Sequence, residues 1–268
     1  MKKKKKVNIP VILGSIIIVF FLLAAIFAPY IAPYDPSSTS SKTYQKPSAE
    51  HLLGTNDVGQ DIFSELLYGT RISMGIGVFA AVVVTVVGTV LALLSGWYGG
   101  IVDRGVTALT NLAMALPGLA LTTLLVCYLK PGVLSIVVAI SVTSWTGTTR
   151  VLRSRILSLK EEPFIKIERA IGQRDSVIMF KHLIPNIKDL ILSRGAMAVS
   201  GAMMTEASLS FLGLGAFAEK SWGAILHFAF FRNGVVRGQY WWYLPPIICT
   251  SLAVLGFMLV GYYGQQKK

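Results

Sequence analysis

The residue types that do covalent or metal chemistry are thinly spread along this chain. His51, His182 and His227 lie on segments too far apart for a local ligand cluster, and neither H-E-x-x-H nor G-x-S-x-G occurs. There is no G-x-x-x-x-G-K-[ST], hence no P-loop to cradle nucleotide phosphates. Cys127 and Cys249 fall singly in apolar runs, without disulfide or metal spacing, and read as small apolar side chains. What remains suits the handling of a solute or a partner. Glu206, with Ser208 beside it in MMTEASLSFLGLG, is an acid near the end of an apolar run. It reads either as facing a polar cavity or as an interfacial residue reached by water. Pro117–Gly118 interrupts another apolar run and frees a backbone carbonyl, which in a membrane must meet protein or water. A pathway lining and a packing kink both fit that break.

The densest polar chemistry is in EEPFIKIERAIGQRDSVIMFKHLIP, residues 161–185. Pro163 suits a first helical turn, with Glu161 and Glu162 at the positive end of the dipole. Phe164, Ile167 and Ile171 recur at spacings of three and four, an apolar stripe. Glu162 and Lys166 stand four apart in the favourable order. Gly172 is placed to cap the helix, and Asp175 to cap a second one, 176–182, which Pro185 stops. Two short helices meeting at a glycine bend are too charged to span a membrane, yet their apolar side must be buried. It packs either on the chain's own bundle or in a groove on a soluble partner.

These residues need a scaffold, and composition says which. The chain has 268 residues, 53% hydrophobic and 14% charged, with mean hydropathy +0.62. About 25% charged is usual for a soluble domain. The apolar residues gather in six runs, 8–31, 72–95, 106–128, 133–149, 190–212 and 243–263, each a candidate for about 30 Å of hydrocarbon. The expected fold is an all-α polytopic membrane protein: six transmembrane helices with a cytoplasmic two-helix loop. Its divisions are 1–34, an N-terminal tail and first helix; 35–71, an external segment; 72–263, the membrane core with the loop at 150–189; and 264–268, a tail. The 35–71 segment is expected to end in a short helical pattern before the second span. Gly88, Ala92 and Gly96 at spacing four give that span a small-residue face for close helix approach. SGWYGGIVDRG, 95–105, reads as a tight turn.

The net charge of +12 follows topology. With both termini cytoplasmic, eighteen of the 25 Lys and Arg fall inside, Lys2 to Lys6, Lys267 and Lys268 among them, and seven outside, while acids divide six to seven. That bias in Lys and Arg alone is the positive-inside pattern, and it makes nucleic acid an unsuitable partner. The apolar run at the start is longer than the roughly 7–15 residues of a signal-peptide core, so it is read as an uncleaved span.

PFIKIERAIGQRDSVIMFKHLIPN resembles the cytoplasmic coupling loop of permease subunits in ATP-binding cassette importers, whose pattern is E-A-A, three residues, G, about nine residues, then I-x-L-P. LLGTNDVGQDIFSELLYGTRIS, GWYGGIVDR, EASLSFLGLG with SWG, WWYLPP and VLGFMLVG resemble, in order, blocks of the second permease of the dipeptide, oligopeptide and nickel uptake group. Together they cover about 52–261. The resemblance implies a non-catalytic subunit of a cell-membrane complex with a second permease, two ATPase subunits and an extracellular solute-binding protein. ATP and magnesium would belong to the ATPases, and this chain would hold no cofactor. It implies that Phe164, Lys166, Ile167, Glu168, Arg169, Ala170, Gly172 and Asp175 form the ATPase-coupling loop. Pro117, Gly118, Glu206 and Ser208 are the pathway or gate candidates. Short peptides are the favoured cargo, with nickel or a metal–chelator complex as the alternative.

The chain departs from the family in places. Lys166-Ile167-Glu168 stands where E-A-A is usual, Gln60 and Glu65 replace arginines, Asn111 stands where an aspartate is common, and YYGQQKK replaces the usual tail. The competing class is a self-contained secondary transporter or channel with 161–185 as an internal gate. The scarcity of intramembrane charge weighs against it.

Overall fold

The computed structural model describes residues 9–130, 132–216 and 218–264. Helices account for the architecture, and an isolated bridge between Thr55 and Asp61 is the β pairing among the described residues. In order they are α1 (Ile9–Ile31), α2 (Ile62–Tyr98), α3 (Gly100–Ala115), α4 (Gly118–Tyr128), α5 (Val133–Lys160), α6 (Pro163–Ala170), α7 (Asp175–Val177), α8 (Ile184–Leu209), α9 (Trp222–Phe231) and α10 (Tyr240–Tyr263). A π-helical turn, Ile178–Leu183, joins α7 to α8, and a second, Ser210–Leu214, follows α8.

Length and apolarity alone do not mark out all six expected spans among the described residues. Four described helices are long and apolar enough to cross a membrane: Ile9–Ile31, Ile62–Tyr98, Asp175–Leu214 and Tyr240–Tyr263. α3 and α4 reach that standard only as a pair, and they bend by 88° at the Leu116–Pro117 break. The expected fourth span lies in α5, whose 28 residues would reach about 42 Å. Its apolar run is diluted by Ser141, Thr143, Ser144, Thr146, Thr148 and Thr149 before Arg150.

α2 begins ten residues earlier than the expected second span. Asp61 caps it, its Oδ2 accepting from the Ser64 amide at 2.8 Å and hydroxyl at 2.7 Å. Its Oδ1 meets His51 Nδ1 at 2.9 Å. The short helical pattern expected at the end of 35–71 forms, and it runs unbroken into the span as the first turns of α2. At 37 residues, α2 is about 55 Å long and outreaches the hydrocarbon core.

The core forms around α2, with α5 on one flank and α8 on another. The small-residue face does what its spacing predicts: a Cβ on Gly88 would sit 2.9 Å from Thr148 Cβ, and one on Gly96 2.8 Å from Ile156 Cγ2. Only glycine lets these backbones approach so closely. α1 lies on α10 and α2, and Phe21 meets Trp222 edge-on at 5.3 Å. These pairings run α2 and α5 parallel, so the 161–183 segment gathers at one end of the bundle beside Trp97. Residues 35–65 and 218–221 gather at the other.

Candidate functional site

α6 is eight residues long, with Glu162 at its N-cap and Pro163 in its first turn as the sequence predicts. Ile165 is fully buried and anchors the helix in a cluster with Trp97, Leu152, Ile156, Leu159, Ile178, Leu183 and Ile187. Arg169 lies over the Trp97 ring at 5.3 Å, and Lys160 Nζ donates to the Trp97 carbonyl at 2.6 Å. The first turn of α3 is tied to α5: Asp103 accepts from Arg153 Nε at 2.5 Å and Nη2 at 2.6 Å, and also from Ser95. Helix α6 therefore rests on α2, α5 and the start of α8.

The stripe expected to be buried is bare. Phe164 is 39% exposed, Ile167 61% and Ile171 70%. An eight-residue helix with apolar residues at 164, 165 and 167 has two apolar sides. The bundle covers one of them and leaves the other open. Phe180, on the adjoining π turn, is bare as well.

Gly172 adopts the left-handed φ of +78° that its capping role requires. Its N–H donates to the Arg169 carbonyl at 3.1 Å and that of Gln173 to the Glu168 carbonyl at 3.1 Å, the paired bonds of a Schellman turn. Three local expectations are corrected. Lys166 pairs with Glu161 at 3.0 Å, not Glu162, and that hydrogen bond holds the Glu161 carboxyl below its usual range. Asp175 occupies the first position of α7 with Arg174 at the cap, so it favours the helix dipole without capping a backbone amide. Pro185 does not stop the second helix. The π turn has the Ile184 N–H donate to Met179, five residues back, and the chain runs on into α8 across the missing proline donor. Glu168 faces His182 Nε2 at 3.4 Å and Ala170 closes the last turn of α6.

Pro117 and Gly118 stand at the 88° break between α3 and α4, exposed and uncovered by this chain's own helices. Glu206 is closed off from solvent. It is 1% exposed, accepting from Ser210 at 2.7 Å and Ser73 at 3.3 Å, while Ser73 in turn accepts from the Trp222 amide at 3.1 Å. It ties α8 to α2 and α9. Ser208 donates back to the Met204 carbonyl at 2.9 Å.

At the opposite end, the two departures Gln60 and Glu65 are joined by one cation. Lys220 Nζ donates to Gln60 Oε1 at 2.5 Å and to Glu65 Oε1, and Asn56 Nδ2 donates to the same two oxygens at 2.9 and 3.2 Å. Sequence reading passed over this network, as it did Ile165. The signal available was the pair of departures itself: an acid replacing a base in a near-buried block requires a base from elsewhere.

A helical membrane component with a bare apolar helix at one end, a broken helix along its flank and a polar block at the other end has the parts of a transport permease. The chain belongs to the family described as "Binding-protein-dependent transport system inner membrane component", which it matches over residues 88–266. Residues 6–51 match the N-terminal TM domain of oligopeptide transport permease C. Among its relatives, it is 35% identical over 261 residues to the dipeptide transport system permease protein DppC of Alkalihalophilus pseudofirmus, covering 97% of this chain and 85% of that one. It is 36% identical to the oligopeptide transport system permease protein OppC of Bacillus subtilis, covering 92% and 81%. It is 34% identical to the glutathione transport system permease protein GsiD of Pectobacterium atrosepticum, covering 92% and 82%.

Proposed function

We propose that this chain is the permease subunit of an ATP-driven importer of short peptides. It pairs with a second permease, is driven by two separate ATPase subunits and receives cargo from an extracellular binding protein. The observation that carries this reading is the bare stripe of Phe164, Ile167 and Ile171 on a helix whose other side is locked into the bundle by Ile165. An amphipathic helix held from beneath and open above is shaped for a groove on a partner. The names of the relatives support peptides as the cargo.

In this reading the 161–183 end faces the cytoplasm, where ATP is. Lys2 to Lys6, Lys267 and Lys268, which weigh towards the same orientation, lie outside the described residues. When the ATPases close, they displace α6. The Ile165 cluster is shared with Ile156 and Leu159 of α5 and Ile187 of α8, so the displacement enters two bundle helices at once. Gly172 fixes the angle between α6 and the chain leading into α8. The uncovered break at Pro117–Gly118 faces the second permease and the pathway between the two. Hydrolysis belongs to the ATPases, and this chain transmits it.

Uptake of a labelled dipeptide into cells, with the partner ATPases present or deleted, tests the reading. Uptake lost with the ATPases supports it, and uptake that persists without them identifies a self-contained carrier.

A further inference from the structure

A cavity of about 680 Å³ opens at the end opposite α6, between the outer part of α2 and the loop before α9. Gln60, Glu65, Tyr68, Arg71, Glu219 and Lys220 line it. The volume falls in the range of about 300–1,000 Å³ typical of small-molecule sites. Glu65 and Lys220 are spent on each other. Arg71 and Glu219 are not: both are exposed, and among the described residues neither forms an ion pair. Arg71 rests against the Tyr68 ring at 5.9 Å. Two acids and two bases leave the lining formally neutral, but with one free charge of each sign.

Such a cavity disfavours a bare anion or a bare cation, each of which meets a repelling charge beside its partner. A ligand carrying both signs meets both. We infer that this cavity is a docking site for a zwitterion, with a carboxylate taken by Arg71 and an ammonium by Glu219, and that its ligand is the free-ended short peptide the permease carries. The guanidinium presents a planar fork that fits a carboxylate with two hydrogen bonds. Tyr68 adds an aromatic wall. The site would recognise the two termini common to all short peptides and leave side chains unread. The inference rests on the peptide-permease reading and adds a place where cargo first meets this subunit.

A zwitterionic lipid headgroup offers the same ammonium with a phosphate in place of the carboxylate, so the test must separate the two. The complex, with its ATPases and second permease, is placed in phosphatidylglycerol nanodiscs. Calorimetry then compares L-alanyl-L-alanine, its N-acetyl and C-terminal amide forms, and glycerophosphoethanolamine. Each cap is expected to weaken binding by at least about tenfold, the loss of one charge-assisted contact. Arg71→Gln should erase the preference for the acid over the amide while keeping that for the free amine, and Glu219→Gln the reverse. Both positions are exposed, so a thermal melt of each variant should match the unaltered complex. Caps without effect, substitutions without effect on that discrimination, or binding of glycerophosphoethanolamine alone would each overturn the site. Capture of the ATPases is read in the same preparation. If it is intact and the dipeptide does not bind, the cavity inference fails alone; if capture is lost, the permease reading fails first.

Discussion

Ile165 and Ile167 stand two positions apart on the same eight-residue helix, one fully buried against Leu159 and Ile187 and the other 61% exposed. One holds α6 to the bundle and the other is left for a partner. Substitutions at the two should therefore have separable effects. Ile165→Ala removes a fully packed side chain and should cost about 2–5 kcal/mol locally, seen as a lower melting temperature in detergent. Ile167→Ser should leave the melt unchanged and weaken ATPase association. Equal effects of both on the melt would contradict the division of roles.

Gly172→Val puts a β-branched residue at a φ of +78°, at a strain of order 1–3 kcal/mol. The surrounding space is open, so the strain is local to the turn. Amounts in the membrane and the overall melt should change little, while dipeptide uptake falls to background. Normal uptake by this variant would show that the bend is not what couples the two helices.

Gly88→Leu and Gly96→Leu test the frame that positions α6. Each side chain would meet α5 where even a Cβ is too close. Overpacking of this kind costs about 1–3 kcal/mol. Both variants should melt earlier, whereas Gly75→Leu on the same helix, where a Cβ meets nothing within 4 Å, should not.

Lys220→Ala leaves the buried Glu65 carboxylate without its cation, a loss of about 3–5 kcal/mol for a broken buried pair. Glu65→Gln should be much milder, because the amide still accepts from Lys220 and Asn56. Adding Glu65→Gln to Lys220→Ala should recover most of the loss on a thermal melt. Additive losses would show that the pair is not coupled.

Much of this was legible from spacing. Pro163 and Gly172 bracket α6 because a missing N–H and a missing Cβ are constraints any sequence carries openly. Gly88, Ala92 and Gly96 found their partner helix for the same reason. The side of α6 that faces the bundle was not legible. Phe164, Ile165 and Ile167 are all apolar, and only the neighbouring Trp97 and Leu159, distant in sequence or on another helix, decide which is covered. The break at Pro117 was visible, but its 88° angle was not, because bending depends on what packs beside it. Pro185 misled because a wider turn upstream supplied the backbone bonding that a regular helix would have lost. Glu206 looked like a pathway acid because its partner Ser73, which in turn holds the Trp222 amide, comes from an element 133 residues away in sequence. The Lys220 network required the same long-range knowledge.

The most direct measurement is capture of the ATPase subunits, co-expressed with this chain and the second permease and purified in detergent. Wild type is compared with a variant in which Phe164, Ile167 and Ile171 are serine and Ile165 is kept. The account predicts stoichiometric capture by wild type, and loss of the ATPases from a variant that still melts as wild type does and retains the second permease. Full capture by the serine variant would contradict the claim that this stripe is the docking surface.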